Sequence, residues 1–286
     1  MEKLKMIASM LIVGTIGICV NYISFPSSVI ACARAVLGSL FILLVMLCTR
    51  KKVQLEEIKK NALYLLLSGT ALGFNWIFLF EAYQYTTVAV ATLCYYMAPV
   101  FVIILSPFVL KERLTPLKIL CTMGAVVGAV LISGVVGGEG QDFRGIAFGL
   151  LAAVLYCSII ILNKKIENLE ALQTTLCQLT VSAVVMVIYV LLTENVTALE
   201  FTGTSILLLF IMGIVHTGIV YLMFFSAISK LPAQTSSVLS YVDPVTAIIL
   251  SALLLHQPMG GLQIIGTVLI LGFTLLNELV GSKSQG

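Results

Sequence analysis

The chain has 286 residues, of which 60% are hydrophobic and 10% are charged, and its formal net charge is +3. With a mean hydropathy of +1.11 it lacks the polar surface that a water-soluble domain of this length needs. The composition therefore excludes a soluble globular protein and predicts an all-α integral membrane protein.

Apolar segments long enough to cross a bilayer as helices recur along the whole chain. The first follows Lys3 and Lys5, but it is too long for a signal peptide and ends without a cleavage site, so it is predicted to be a span. The links between segments are short and hold no soluble domain. The ten predicted spans are 6–23, 29–49, 61–81, 87–110, 116–136, 143–162, 171–192, 204–227, 233–255 and 261–280.

The fourth and ninth spans carry the same sequence pattern. Residues 78–122 can be laid over residues 223–267 without a gap, which gives 13 identities in 45 positions at an offset of 145. The matched positions include tyrosine, proline and serine, so apolar composition alone does not explain them. The chain is predicted to hold two copies of one membrane unit, 1–137 and 138–286.

Basic residues predict the orientation of the spans. If the N-terminus is inside the cell, the inner segments hold 14 of the 16 lysines and arginines, and the outer links hold only Arg144. The positive-inside rule then places both termini in the cytoplasm. Because each copy contributes five spans, the second copy is inverted relative to the first, as in many secondary transporters.

A pattern of residues in both copies points to a known family. It comprises Arg34 in the second span and the related stretches 98–115 and 243–258, with Glu112 after the fourth span and Gln257 at the matching place. Here the chain resembles the EamA family of the drug/metabolite transporter superfamily over nearly its whole length, although many members carry Glu where Gln257 stands. The family's glycine-rich fifth and tenth helices correspond to Gly124 with Gly128 and Gly266 with Gly272. The resemblance implies ten helices in two five-helix repeats, around a central cavity that opens alternately to each side.

Asp243 is the most informative polar residue. It lies about eight to ten residues into the ninth span, where a lone carboxylate costs several kcal/mol unless it is protonated, paired or hydrated. On a continuous helix it would share a face with Ser236 and Ser240. We predict that Asp243 and Ser240 belong to a substrate-binding or coupling site. The alternative is a protonated aspartate bonded to the backbone of a neighbouring helix.

Further candidates lie in the eighth and third spans. His216, near the middle of its span, suits proton exchange, or is a neutral histidine bonded to an adjacent helix. Asn75 and Trp76 offer an amide and an amphipathic ring as ligand contacts. Glu81, near the outer end, either contacts the ligand or reaches headgroups and water.

Arg34 and four tyrosines complete the set of candidate side chains. Arg34 lies roughly 8 Å inside its span. It binds an anionic group of the substrate, or else it extends outward to the interface or pairs with Glu81. Tyr95, Tyr96, Tyr221 and Tyr241 lie at or beside the repeat interface, where one or two of them line the cavity or all simply pack in the membrane core.

Pro99 and Pro244 stand at matched places inside two predicted spans. Each removes a backbone donor and frees the carbonyl four residues earlier, and such matched interruptions often mark a transporter's central site. The alternative is a static kink. The spacing of Gly124 and Gly128 predicts a close helix-packing face, within one chain or between two chains.

Motifs of enzymes are missing: there is no HExxH, GxSxG or P-loop, and no second mid-membrane aspartate to pair with Asp243. No metal site and no cofactor are predicted. We expect an exporter of small polar or amphipathic metabolites, amino acids or related compounds first, in the cell membrane. The alternative is a proton-coupled exporter of cationic drugs or amines, with an intramembrane enzyme or a channel less favoured. The expected partners are the substrate, the bilayer and protons as coupling ion, with no nucleic acid, in a monomer or homodimer.

Overall fold

A computed structural model of the chain describes residues 1–51, 53–109, 115–132, 142–228, 230–231 and 233–283. These residues form helices, short links and no strand. A short π-helical segment, Ile211–Ile219, connects two of the helices, and Val196–Ala198 form a 3-10 turn. In chain order the helices are α1 (Glu2–Val13), α2 (Ile16–Asn21), α3 (Ser27–Cys48), α4 (Leu55–Lys60), α5 (Ala62–Tyr85), α6 (Val88–Tyr95), α7 (Ala98–Val109), α8 (Pro116–Ile132), α9 (Phe143–Asn163), α10 (Ala171–Thr193), α11 (Gly203–Phe210), α12 (Val220–Ile228), α13 (Ala233–Ser240), α14 (Val242–Leu254) and α15 (Gly261–Lys283).

Seven helical segments in the described ranges are long and apolar enough to cross a membrane, and three further apolar helices are shorter. All ten fall on the predicted spans, in the same order. The seven are Glu2–Asn21, Ser27–Cys48, Ala62–Tyr85, Val88–Val109, Phe143–Asn163, Ala171–Thr193 and Gly203–Ala227, and the shorter three are Pro116–Ile132, Val238–Leu254 and Gly261–Asn277. Exposed leucine, isoleucine and valine side chains cover the outside of this bundle, as a lipid-facing surface requires.

Three of the predicted spans are not continuous helices. The first is interrupted after Val13, the fourth at Tyr96 and Met97, and the ninth at Tyr241. Pro99 and Pro244 therefore lie in the first turns of α7 and α14 and not in helix interiors. A first turn has no intrahelical acceptor for its N–H groups, so proline is well tolerated there.

Helix boundaries recur at the offset of the sequence repeat. Helix α13 begins and ends 145 positions after α6, helix α15 begins 145 positions after α8, and α10 ends 145 positions after α3. The packing recurs as well: α5 packs on α9, and α12 packs on α1, which is the same pair with the copies exchanged.

Two glycines at matched positions allow equivalent close contacts. A Cβ atom added to Gly73 would lie 2.9 Å from Met186, and one added to Gly218 would lie 2.3 Å from Phe41. Gly218 is 145 positions after Gly73, and Phe41 is 145 positions before Met186. The two copies therefore pack around the second and seventh spans in the same manner.

The predicted glycine face of α8 is occupied within the chain. A Cβ atom on Gly128 would lie 2.7 Å from the carbonyl oxygen of Gly266 in α15, and one on Gly266 would lie 2.6 Å from the carbonyl oxygen of Gly128. Gly124 is closed off in the same way by the ring of Phe273. This face therefore joins α8 to α15, and the alternative of a contact between two chains is wrong for this pair.

Asp142 begins α9 as its N-cap. Its Oδ1 accepts a hydrogen bond from the backbone N–H of Arg144, and the Arg144 guanidinium holds the pKa of the Asp142 carboxyl below its ordinary value.

Glu112 and the predicted boundary at 137/138 lie outside the described residues.

Candidate functional site

The two matched segments meet directly at Asp243. The Tyr96 hydroxyl donates a hydrogen bond of 2.8 Å to Oδ2 of Asp243, and the rings of Tyr96 and Tyr241 are 6.1 Å apart. The same hydroxyl lies 3.5 Å from the carbonyl oxygen of Ser240. Ser240 is four residues before Pro244, so this carbonyl is the one that the proline leaves without a helical donor. At the interruption of the ninth span, the Asp243 carboxylate and the Ser240 carbonyl therefore face Tyr96 of the fourth span.

Arg34 is buried, with 5% of its surface exposed. Its guanidinium carbon lies 4.2 Å from the ring centroid of Trp76, and its Nε donates a hydrogen bond of 2.8 Å to Oγ1 of Thr217. The expectation of an arginine that extends outward is therefore wrong, and no ion pair joins it to Glu81 in the described part of the chain. Neither terminal nitrogen, Nη1 or Nη2, donates to another described residue. A buried guanidinium with open donor positions favours an acceptor from water or a ligand.

Arg34 and Asp243 belong to one polar centre. Arg34 lies within electrostatic range of Asp243 and near Tyr83, Tyr95 and Tyr221. Asp243 forms its one described hydrogen bond with Tyr96, and no ion pair joins it to Arg34 among the described residues. Asp243 is only partly buried, which leaves Oδ1 open to a second donor.

The π-helical segment holds Thr217 and His216 against this centre. The Thr217 hydroxyl donates to the carbonyl of Met212, five residues earlier, which is the π-helical spacing. His216 is 2% exposed, and its Nε2 lies 2.8 Å from Oγ1 of Thr15, at the interruption between α1 and α2. Its Nδ1 lies 3.3 Å from the carbonyl oxygen of Ile211. His216 is thus bonded to an adjacent helix, close enough to Arg34 for electrostatic interaction.

Aromatic rings form the wall beside the carboxylate. Tyr95 stacks on Tyr156 of α9 with centroids 5.1 Å apart and meets Tyr96 edge-on at 6.4 Å. Trp76, which contacts Arg34, and Tyr221, which lies near Arg34, are 145 positions apart and so come from matched places in the sequence repeat. The centre can therefore stack on an apolar or aromatic group while it binds charges.

Three of the predicted residues do not contribute a side chain to this centre. The amide nitrogen of Asn75 donates to the carbonyl of Ala152 at 2.6 Å and so ties α5 to α9. Glu81 forms no hydrogen bond or ion pair with another described residue. The hydroxyl of Ser240 donates to the carbonyl of Ser236 in its own helix, so only its carbonyl faces Tyr96.

Four residues of the centre were not predicted: Thr15, Tyr83, Tyr156 and Thr217. Thr217 stands next to His216 in an otherwise apolar span, and this pair of polar residues is the signal that could have identified it. No sequence signal distinguishes Thr15, Tyr83 or Tyr156 from the other polar and aromatic residues of the spans.

The bundle is closed at one end, the end at which α6 begins and α14 ends. There α6 packs on α14, and α2 packs on α5. If the two copies are exchanged, these contacts correspond to α13 packed on α7 and to the end of α9 packed on α12. Neither of these two pairs is closely packed among the described helices. Gln257 joins the closed end, since its Oε1 accepts from the Val88 backbone N–H at 3.2 Å and from Oγ of Ser251 at 2.8 Å.

A polar depression of about 440 Å³ lies at this closed end. It is lined by Asn21, Tyr83, Gln84, Tyr85, Thr86, Thr87, Asp142 and Gln257. The polar centre lies below it, beyond the contact between α6 and α14.

A family model, the EamA-like transporter family, matches residues 3–134 and 143–278. The chain belongs to this family. Two proteins of Bacillus subtilis (strain 168) are similar to this EamA-like protein. "Uncharacterized transporter YxxF" is 29% identical over 93% of this chain and 86% of its own, and "Uncharacterized transporter YoaV" is 25% identical over 88% and 87%. An "Uncharacterized transporter" of Clostridium kluyveri is 28% identical over 85% of this chain and 81% of its own.

A solved structure titled "Crystal structure of protein" shares the fold of this EamA-like chain. It has a TM-score of 0.66 at 18% identity and covers 98% of both chains. Family and apolar helices together make this a multi-span membrane protein of a transporter family.

Proposed function

We propose that this EamA-like chain exports small zwitterionic metabolites, amino acids or related compounds, across the cell membrane by alternating access. The observation that carries the proposal is the polar centre, in which a buried arginine with open donor positions lies within electrostatic range of a carboxylate with an open oxygen. The terminal nitrogens of Arg34 bind the substrate carboxylate in a fork, and Asp243 binds the ammonium. The aromatic wall receives the side chain of the substrate.

The bundle comprises ten spans in two inverted repeats, 1–137 and 138–286, with both termini in the cytoplasm. The recurrence of helix boundaries at an offset of 145 and the distribution of basic residues support this arrangement. In this orientation the closed end faces outward. Export then requires the substrate to bind from the cytoplasmic side and to leave after the closed end opens.

The test is counterflow in proteoliposomes with a panel of radiolabelled metabolites, followed by analogues of the best substrate. The decarboxylated analogue lacks the partner of Arg34, and the N-acetylated analogue lacks the partner of Asp243. We expect both analogues to be transported poorly. Arg34→Gln should abolish transport of the parent compound and leave any residual transport of the decarboxylated analogue unchanged. Equal transport of all three compounds by the parent protein would contradict zwitterion recognition.

The alternative is proton-coupled export of cationic drugs or amines. The tyrosines around Asp243 favour it, because aromatic faces attract cations. In that case the decarboxylated analogue is transported at least as well as the parent compound, Arg34→Gln has little effect, and Asp243→Asn abolishes transport driven by a pH gradient. His216 is the next residue to examine if Asp243→Asn retains that coupling.

A further inference from the structure

The two matched segments have the same fold but different chemistry. Tyr96 matches Tyr241, whereas Asp243 matches Ala98, all at an offset of 145. The hydrogen bond of 2.8 Å from Tyr96 to Asp243 joins the two copies across the α6–α14 contact. With the copies exchanged, the same contact would place Tyr241 against Ala98, whose side chain accepts nothing.

In a transporter built from inverted repeats, the second conformation is obtained when the two copies exchange their conformations. That exchange would replace the packing of α6 on α14 by the packing of α13 on α7. Tyr96 and Asp243 would then separate, and no equivalent bond would form. The bond can therefore exist in only one of the two conformations.

We propose that Tyr96 and Asp243 form a one-sided latch that favours the described conformation, and that a substrate ammonium releases the latch by replacing the Tyr96 hydroxyl at Asp243. This inference rests on the alternating access proposed above. An ammonium carries three donors and a full charge, so it binds a carboxylate more strongly than a neutral phenol does. Asp243 has an open oxygen beside the bonded one, so the ammonium can approach before the phenol leaves. Loading of the site is thus linked to opening of the closed end.

A cysteine reporter on α14 can measure the latch without any substrate. Ala247 is 4% exposed and lies one helical turn from Asp243, toward the closed end. Ala247→Cys, in a cysteine-free background in nanodiscs, is treated with a small water-soluble maleimide. Labelling requires the closed end to open, whichever side the reagent comes from.

Tyr96→Phe should increase the labelling rate roughly tenfold, which is the effect of losing one hydrogen bond to a charged group. Asp243→Ala should do the same, and the double variant should add nothing further. Asp243→Asn should label at a rate between the reference and Asp243→Ala, because its amide oxygen still accepts from Tyr96 but carries no charge. Tyr95→Phe is the matched control: Tyr95 is the neighbouring, stacked tyrosine, and its variant should label at the reference rate.

The carboxylate can also be moved to the other copy. Ala98→Asp combined with Asp243→Ala should label faster than Asp243→Ala alone, since the acid then accepts from Tyr241 in the exchanged conformation. If Tyr96→Phe labels at the reference rate, or no faster than Tyr95→Phe, the latch is refuted. The proposed function is judged separately, because Asp243→Asn should lose substrate transport while its labelling without substrate stays slower than that of Asp243→Ala.

Discussion

Thr217 positions Arg34, and two substitutions of Thr217 test its hydroxyl and its methyl group one at a time. Thr217 is fully buried; its hydroxyl accepts from Nε of Arg34 at 2.8 Å, and its methyl group fills the space beside Gly38. Thr217→Val keeps the shape and removes the hydroxyl, so a buried charged donor loses its acceptor at a cost of about 1.5–3 kcal/mol. Thr217→Ser keeps the hydroxyl and removes one methyl group, which costs about 1 kcal/mol.

The two variants should therefore differ in transport and not only in stability. Without its acceptor, Arg34 is no longer held in one orientation on Trp76, and the KM of the best substrate in counterflow should rise roughly tenfold for Thr217→Val. Thr217→Ser should keep the KM of the parent protein, although both variants unfold at lower temperature in detergent. An unchanged KM in Thr217→Val, with a loss of stability like that of Thr217→Ser, would refute a positioning role for the hydroxyl.

Two further predictions concern the packing and the orientation of the bundle. Gly128→Ala should lower the free energy of unfolding by about 1–3 kcal/mol, because its Cβ would meet the backbone of Gly266, whereas Gly272→Ala, with nothing within 4 Å, should be neutral or stabilising by up to about 1 kcal/mol. Thermal unfolding in detergent measures both variants, and equal melting temperatures would argue against the close contact of α8 with α15. A single cysteine at Lys51 should react with an impermeant maleimide only from inside the cell, and one at Asn195 only from outside. Labelling of position 51 in intact cells, with position 195 protected, would contradict the proposed orientation.

The sequence alone determined the class of the protein and indicated two of the three spans in which the helix is interrupted. Ten apolar segments and the shortage of charge leave only a helical membrane protein, since every backbone group in a bilayer needs an internal partner. The internal match identified the two segments that meet, and the proline in each indicated an interruption, because proline has no N–H to donate. Asp243 stood out because it is a carboxylate that only one of the two copies carries.

Only the tertiary structure decided which side chains contact or hydrogen-bond one another across helices. Arg34 was expected to reach either a ligand or the interface, and the packing of α3 against α5 and the π-helical segment places it on Trp76 and Thr217. The partner of Asp243 is Tyr96, although Tyr95 and Tyr241 were equal candidates from their positions. Such pairings depend on helix register, rotation and crossing angle, which are set by packing over the whole bundle and leave no local pattern. The repeat is visible in the sequence as a match at an offset of 145, whereas the hydrogen bonds of the polar centre are visible only in the structure because they join residues that are far apart in the chain.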